Sequence, residues 1–515
     1  MNRKERRRQA KEGQKNTPPL SPLELAQKGA ELANSGRLDA AVQAFRQAVA
    51  LAPDYAEAHY NLGVLLRMQG HLEAAIESYR NALAIQPDFP NAHYNTGNAN
   101  LTLGRLEEAA ESYRQAIALR ADFAEAHNNL GNVYKELEKF DEALVSCDKA
   151  LAIKPDYAEA LSNKGAILRD MGNPEESLLY CQKAIEHAPQ YAQAYNNLGL
   201  AFQDTGNLDA AIEHFKQAME RLAEYPEAYS NLGIALQASA RLEEAAASYQ
   251  KALDIDANCV EAHNNFGMLQ LLRGDFDQGW QNFAWQWQMK GATTIARHYP
   301  QPFWNGDSFE RKTLFIYPVQ GFGDFIQFSR YVPLAKAKGG RVIIEVPAQL
   351  HALFADMEAV DVVISSDQKP QAFDIQARLL DLPGLFNTSL ENIPAVQPLN
   401  PPNDLMDKWR ERLKDFKGRR VGLVWAGNPD HKNDRNRSIN PEMIKPLLDI
   451  EGIDYFSLQV GRDGEADLNF GDRMVNLAPE FSSFAETAAA MKNLDIIISV
   501  DSAPAHLAGA LGCQT

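Results

Sequence analysis

Three short stretches combine acids, hydroxyls, cations and a histidine at spacings that suit group transfer. In "PVQGFGDFIQFSRYV", Asp324 follows Gly321 and Gly323, which would allow a tight strand-to-helix turn. An acid in the first turn of a helix can take a proton from a bound hydroxyl. It can equally be a helix cap worth about 1 kcal/mol. In "GLVWAGNPDHKNDRNRSI", an apolar run ends in a small-residue turn, and Lys432, Arg435 and Arg437 follow. Cations at the mouth of a parallel sheet suit a diphosphate, although a charged loop can also do no more than meet solvent. In "SVDSAPAHLAGALGCQT", Asp501, Ser502 and His506 stand where an apolar run gives way to a helix. Free amides at a helix N-terminus favour an anion. Ser502 can donate a hydroxyl, and His506, four residues on, lies on the same helix face. Such a histidine also occurs as a plain structural residue.

Strands and helices must hold these residues. Short apolar runs alternate with helical stretches after residue 312. They are "TLFIYPV" (313–319), "RVIIEV" (341–346), "DVVIS" (361–365) and "FDIQARL" (373–379), then "RVGLVWAG" (420–427), "YFSLQV" (455–460) and "DIIISV" (495–500). This alternation predicts parallel sheets built from βαβ units. Two such series in tandem predict two Rossmann-like halves, with ligands at the carboxyl ends of the strands. Glu345 lies near the end of the second run, as a dinucleotide-binding acid would, but the turn reads GxGxxI and lacks the third glycine of that fingerprint.

The preceding region repeats. Glycines recur every 34 residues at 29, 63, 97, 131, 165, 199, 233 and 267, with small residues such as Ala75, Ala82, Ala109 and Ala116 in fixed phase. A fixed period of this length with two helical patterns per unit is a repeat solenoid. It resembles eight tetratricopeptide repeats. A second column stands two residues before each glycine: Asn61, Asn95, Asn129, Asn163, Asn197, Asn231 and Asn265, with Gln27 in the first copy. Each amide could bond within its own repeat or cap a neighbouring helix. A ladder of amides could also pair with a peptide backbone of any sequence, because an amide both donates and accepts. The last copy departs from the pattern: Trp280, Trp285 and Trp287 replace small residues, which predicts docking onto the next domain.

Composition closes off several classes. A net charge of −17 argues against a general nucleic-acid binder. No run of about 18 apolar residues exists. The N-terminus "MNRKERRRQAKEGQK" is basic but has no apolar core behind it, so it reads as a solvated tail and not a signal peptide. Cys147, Cys181, Cys259 and Cys513 form no CxxC pair and no cluster with histidine, which fits a reducing, cytoplasmic setting without zinc. The Asp-x-Asp pairs at 254–256 and 275–277 fall in repeat turns and offer nothing to a metal-dependent transferase.

The "GD" after the first strand, the basic loop of the second half and the D-S-x-x-x-H-L-A-G-A-L-G motif resemble the heptosyltransferase-like glycosyltransferases of family 9. More narrowly, the layout is similar to bacterial proteins with tetratricopeptide repeats fused to such a domain. The resemblance implies a GT-B fold of two Rossmann-like halves and a metal-independent sugar transfer from a nucleotide-sugar. It implies Asp324 as general base, Asp501 on the donor sugar, and Ser502 and His506 beside the diphosphate with Arg437. Asn428 and Gln459 join them as candidate donor-binding residues. O-GlcNAc transferases carry a similar asparagine ladder that holds acceptor polypeptide, which implies a polypeptide acceptor here. The rivals are an interaction scaffold with an inactive transferase-like domain and heptose transfer to lipopolysaccharide. The expected divisions are a tail (1–21), the solenoid (22–290), a linker (291–312), an acceptor-side half (313–402), a connecting helix (403–419) and a donor-side half (420–515). That last half is short, which predicts an incomplete sheet with an unpaired edge.

Overall fold

The computed structural model describes residues 20–289, 297, 299–319, 321–428, 434–461 and 470–515. The chain divides into two compact units, Met1–Ala257 and Asn258–Thr515. The basic tail up to residue 19 lies outside the described residues.

The described residues of the first unit form seven helix pairs, from Pro22–Asn34 with Leu38–Leu51 to Pro226–Ala238 with Leu242–Ile255. Ser21 opens the first helix with a capping box, its hydroxyl accepting from the Glu24 N–H while Glu24 reaches back to the Ser21 N–H. The 34-residue glycine column explains how the helices of a pair approach. A Cβ on Gly29, Gly63, Gly97, Gly131, Gly165, Gly199 or Gly233 would lie 2.4–2.8 Å from the side chain sixteen residues later. That side chain is aromatic in five pairs (Phe45, Tyr79, Tyr113, Phe215, Tyr249) and a cysteine in two (Cys147, Cys181), all buried. The two thiols therefore act as small apolar knobs, and burial pushes Cys147 up to about 12. A second 34-residue row closes the first helix of each pair in the left-handed region: Gly36, Gly70, Gly104, Gly172 and Gly206, with Glu138 and Ala240 at the same phase.

The second unit opens with the eighth sequence repeat, helices α1 (Val260–Leu272) and α2 (Phe276–Phe283), followed by a 3-10 turn over Ala284–Gln288. Here backbone meets backbone: a Cβ on Gly267 would lie 2.4 Å from the Phe283 nitrogen. Backbone cannot swing aside as a ring can. Gly267→Ala is therefore expected to destabilise the second unit by about 3 kcal/mol or more, against about 1 kcal/mol for Gly131→Ala in the first. Urea titration of the two variants checks this ordering. The tryptophans tie this hairpin to the α/β part. Trp280 Nε1 donates to the Thr388 carbonyl at 2.8 Å and Trp287 Nε1 to Asp381 Oδ1 at 2.7 Å. Trp285 instead stacks on His263, with centroids 4.0 Å apart.

Two four-stranded parallel sheets follow. The first has strands β1 (Thr313–Tyr317), β2 (Arg341–Val346), β3 (Val362–Ser365) and β4 (Ile375–Arg378), in the order β3-β2-β1-β4. The second has β5 (Arg419–Val424), β6 (Ile453–Ser457), β7 (Val475–Asn476) and β8 (Ile496–Ser499), in the order β7-β6-β5-β8. Their near-continuous apolar runs suit strands covered on both faces. One core joins the sheets, through Leu314, Ile316 and Ile344 on one side and Val424, Phe456, Ile497 and Leu507 on the other. Helix α4 (Asn403–Leu413), which follows helix α3 (Phe322–Phe328) in sequence, buries Trp409 in it, and helix α5 (Phe484–Lys492) adds Ala488, Ala489 and Met491. At the outer edge of β8, the Ile497 N–H donates to the Gln514 carbonyl at 2.8 Å.

The opposite face of the first sheet holds a buried polar row. Register sets Tyr317 beside Arg378 and, one residue past the Ile316–Ile344 pair, beside Glu345. Glu345 is fully buried and paired to Arg297, and burial pushes its carboxyl up to about 7 despite that cation. Arg378 lies over the rings of Trp287 and Phe303 at 4.1 and 4.3 Å and pairs with Asp381 at 2.9 Å.

Candidate functional site

The turn after β1 leads into α3, whose N-cap is Gly321 (φ −65°, ψ 170°). Neither Gly321 nor Gly323 has the left-handed backbone that only glycine adopts freely, so the turn itself does not require them. Space requires Gly323. A Cβ there would lie 2.9 Å from His506 Cδ2 and 3.4 Å from Ala503 Cα. Those atoms belong to helix α6 (Ala503–Ala510), so the first helix of the first sheet meets the last helix of the second with nothing between them. Asp324 is half-buried at this junction. Burial raises its carboxyl above the usual aspartate range, and Asp501 adds to the rise. His506, the Gly321 N–H and Arg437 pull the other way. Three separately coded stretches thus act on one carboxylate.

The turn after β8 runs through Asp501 to Ser502, the extended N-cap of α6 (φ −160°, ψ 172°). The Ser502 hydroxyl makes no cap. It donates to the Val500 carbonyl at 3.0 Å and lies 3.4 Å from the Ser499 hydroxyl. His506 Nε2 stands 3.7 Å from Asp501 Oδ1, and the Asp501 side chain is 87% exposed. The group therefore has a half-buried carboxylate on α3 and a solvated one at Asp501, with the imidazole 3.7 Å from the solvated one.

The third turn follows β5. The Gln459 side chain is committed to its backbone: Oε1 accepts from the Trp425 and Ala426 N–H groups at 3.1 and 2.9 Å, and Nε2 donates to the Ala426 carbonyl at 3.1 Å. Gln459 shapes the turn, and its amide faces protein. A Cβ on Gly427 would lie 2.6 Å from Arg437 Nη2 and 2.7 Å from Asp434 Oδ1, so the guanidinium rests against this glycine. Ser438 secures the turn, accepting from the Gly427 N–H at 3.1 Å and donating to Asp434 Oδ1 at 2.8 Å. Arg437 Nε is buried and has no hydrogen-bond partner among the described residues. Asn428 is exposed on the same turn. Lys432 and the side chain of Arg435 lie outside the described residues. Ser438 and Asp434 carry no sequence signal of their own, being small polar residues in a polar loop.

The asparagine column has partners that periodicity alone does not reveal. Five of the seven amides reach back 35 residues to the preceding repeat. Asn95 donates to the Tyr60 hydroxyl at 2.9 Å, and Asn129 to the Tyr94 hydroxyl at 3.2 Å. Asn163 donates to Asn128 Oδ1 at 2.9 Å, Asn197 to the Ser162 hydroxyl at 3.0 Å, and Asn231 to Asn196 Oδ1 at 3.0 Å. Asn197 is buried, whereas Asn61, Asn95, Asn129, Asn163, Asn231 and Asn265 are half-buried. One amide hydrogen thus joins neighbouring repeats, and Asn129 also donates to Asn98 Oδ1 at 3.0 Å and accepts from Asn128 Nδ2 at 3.3 Å. A cavity of about 490 Å³ elsewhere in the first unit is lined by Arg114, His127, Tyr134, Asp141, Glu142 and Lys149. Arg114 there is already paired with Glu111 at 2.5 Å.

Comparison with known proteins divides along the same lines. Sequence families described as "TPR repeat" match residues 29–70, 65–104 and 97–138, and those described as "Tetratricopeptide repeat" match 124–157, 156–224 and 190–258. "Glycosyltransferase family 9 (heptosyltransferase)" matches residues 465–515. No curated protein matches the sequence. Among solved structures, the chain is similar to MamA at 27% identity, over 32% of this chain and 96% of that one, with a TM-score of 0.31. A tetratricopeptide repeat protein from Parabacteroides merdae is 21% identical over 48% of this chain and 98% of its own, with a TM-score of 0.44. YrrB, described as a TPR protein with an unusual peptide-binding site, is 26% identical over 36% of this chain and 96% of its own, with a TM-score of 0.28. The chain therefore carries tetratricopeptide repeats, followed by parallel sheets whose last residues, 465–515, match glycosyltransferase family 9.

Proposed function

We propose that the protein is a glycosyltransferase that moves a sugar from a nucleotide-sugar to a hydroxyl of a polypeptide held by the repeats. The observation that carries this reading is the convergence of Asp324, His506, Asp501 and Arg437 at the strand ends of two parallel sheets, on residues that include the family 9 match. Asp324 takes the proton of the acceptor hydroxyl. The hydroxyl oxygen bonds to the anomeric carbon, and the bond from that carbon to the diphosphate breaks. Arg437, the Ser502 hydroxyl and the start of α6 stabilise the charge gathering on the leaving diphosphate. Asp501 meets the donor sugar, and Gln459 fixes the turn that presents Asn428 and Gly427. No group beyond the nucleotide-sugar is needed. The test is a panel of nucleotide-sugars of each base, read as donor hydrolysis and as sugar incorporated into peptide. A chain that consumes none of them does not fit this reading.

On the polypeptide side, Asn129, Asn163, Asn197 and Asn231 changed together to Ala should weaken peptide binding at least tenfold, at about 0.5–1.5 kcal/mol for each lost bond. The same change removes four links between repeats, so the melting temperature of the first unit should fall too. The glycine–aromatic packing is untouched, and the helical signal at 25 °C should persist. Calorimetric peptide titration beside thermal melts separates the two effects. A lower melting temperature with undiminished affinity would confine the column to a structural role.

A further inference from the structure

A lone aliphatic side chain on a protein surface is ordinary, whereas several at one register call for a reason. Fourteen positions after the column glycine, each repeat exposes one residue of its second helix. It is Glu77, Glu111 and Glu213 in the second, third and sixth repeats, with Gln43 and Ala247 in the first and seventh. The fourth and fifth repeats break the series with Val145 and Leu179, which are 53% and 51% exposed. They stand at the same phase on consecutive second helices, Phe140–Ile153 and Pro174–His187. Val145 also lines the cavity of about 490 Å³, where Ile117, Ala118 and Leu130 extend the apolar surface.

Charge is ordered in the same way about both residues. Asp141 and Glu142 precede Val145 by about one helical turn, and Lys149 follows it by one. Glu175 and Glu176 precede Leu179, and Lys183 follows it, at the same spacings. The seventh repeat has a similar order around Ala247, which offers only a methyl group. The six charged residues of the fourth and fifth repeats are exposed, and none makes an ion pair among the described residues. Lys183 lies over the Tyr180 ring, 5.3 Å from its centroid. Within one helix the acids and the lysine stand about 10–12 Å apart along the axis, too far to pair with each other.

We propose that this face of the fourth and fifth repeats is the contact between two copies of the chain, each helix lying antiparallel on its own counterpart. A two-fold axis crossing both helices at the level of Val145 and Leu179 sets each residue against the same residue of the second copy. The rotation reverses the helix direction. It therefore carries Asp141 and Glu142 to Lys149 of the second copy, and Glu175 and Glu176 to its Lys183. A parallel arrangement would set acid on acid, so the charge order selects the antiparallel one. The asparagine column stands on the first helices of the repeats, which this contact does not use. The inference does not depend on the sugar-transfer reading.

Sedimentation equilibrium of the intact chain from about 1 to 100 µM tests it, because two helices a side make a small interface suited to micromolar association. The native chain should pass from one copy to two across that range. Val145→Glu with Leu179→Glu gives these repeats the residue that the second, third and sixth already carry, so the helical signal should be unchanged. It sets like charges against each other in place of the apolar contact and should weaken association by about 100-fold or more. Lys149→Glu with Lys183→Glu tests the direction of the helices, beside a second chain with Asp141, Glu142, Glu175 and Glu176 all changed to Lys. Each charge variant should be monomeric alone, and the two mixed should form a heterodimer. A native chain that stays monomeric at the top of the range overturns the proposal and leaves the face to a different protein. So does a dimer that survives Val145→Glu with Leu179→Glu, or a mixture of the charge variants that forms no heterodimer.

Discussion

Asp324→Asn in the intact chain should lower sugar transfer by roughly 10²–10⁴-fold, the range for loss of a general base, while nucleoside diphosphate still binds. The asparagine keeps the shape of the carboxyl and its place in the first turn of helix α3. What disappears is the ability to accept a proton. Burial and Asp501 hold this carboxyl above the ordinary aspartate value, against His506, the Gly321 N–H and Arg437. A raised base is a better proton acceptor, and the acid limb of the native pH–rate profile should accordingly lie above the normal aspartate range. Rate measurements across pH, with diphosphate binding measured beside them, check both statements. Near-native turnover in the variant would reduce Asp324 to a helix cap worth about 1 kcal/mol.

The second large effect concerns stability. Arg297→Ala should destabilise the second unit by about 3 kcal/mol at pH 8, the lower end for breaking a buried ion pair, because the Arg297 side chain is itself 35% exposed while Glu345 is fully buried. The pH dependence has a definite sign. Folding raises the Glu345 carboxyl from 4.5 to about 7. In that window the folded state binds more protons than the unfolded one, so the contribution of this group falls as pH rises through it. Removing Arg297 takes away the pull that limits the rise and extends the loss above pH 7, by about 1.4 kcal/mol for each further unit. At pH 5 the carboxyl is mostly protonated in the fold and the cost of the substitution should be much smaller. Glu345→Gln, which cannot titrate, should remove this pH dependence. Urea unfolding at pH 5 and pH 8 distinguishes these cases, and an equal cost for Arg297→Ala at both values would rule out the charge explanation.

Much of this architecture was legible in the sequence. The 34-residue glycine column is visible because a glycine is needed wherever paired repeat helices approach closely, against a side chain in seven pairs and against backbone at Gly267. Seven of the eight strands among the described residues stand out as apolar runs. The eighth, Val475–Asn476, has two residues and no pattern to display. What the sequence does not carry is register. Glu345, Tyr317 and Arg378 are far apart in the chain and look unrelated until parallel pairing sets them in one row. The asparagine partners are hidden for a different reason. The residue met by each amide changes type among tyrosine, asparagine and serine, so no column of letters marks the position. At the candidate site, Gln459 has the chemistry of a ligand-binding amide and is placed facing backbone. Gly323 looks like a turn glycine and is instead a point of contact with α6.

The unit boundary near residue 257 bears on how such a gene can change. Duplicating or deleting one 34-residue segment upstream of it keeps helix phase, because each join still presents a glycine to the side chain sixteen residues on. The hairpin that carries Trp280 and Trp287 lies downstream and is not copied or lost in the exchange. Array length can therefore change in steps of 34 residues, while the tryptophan contacts to Thr388 and Asp381 are inherited unchanged.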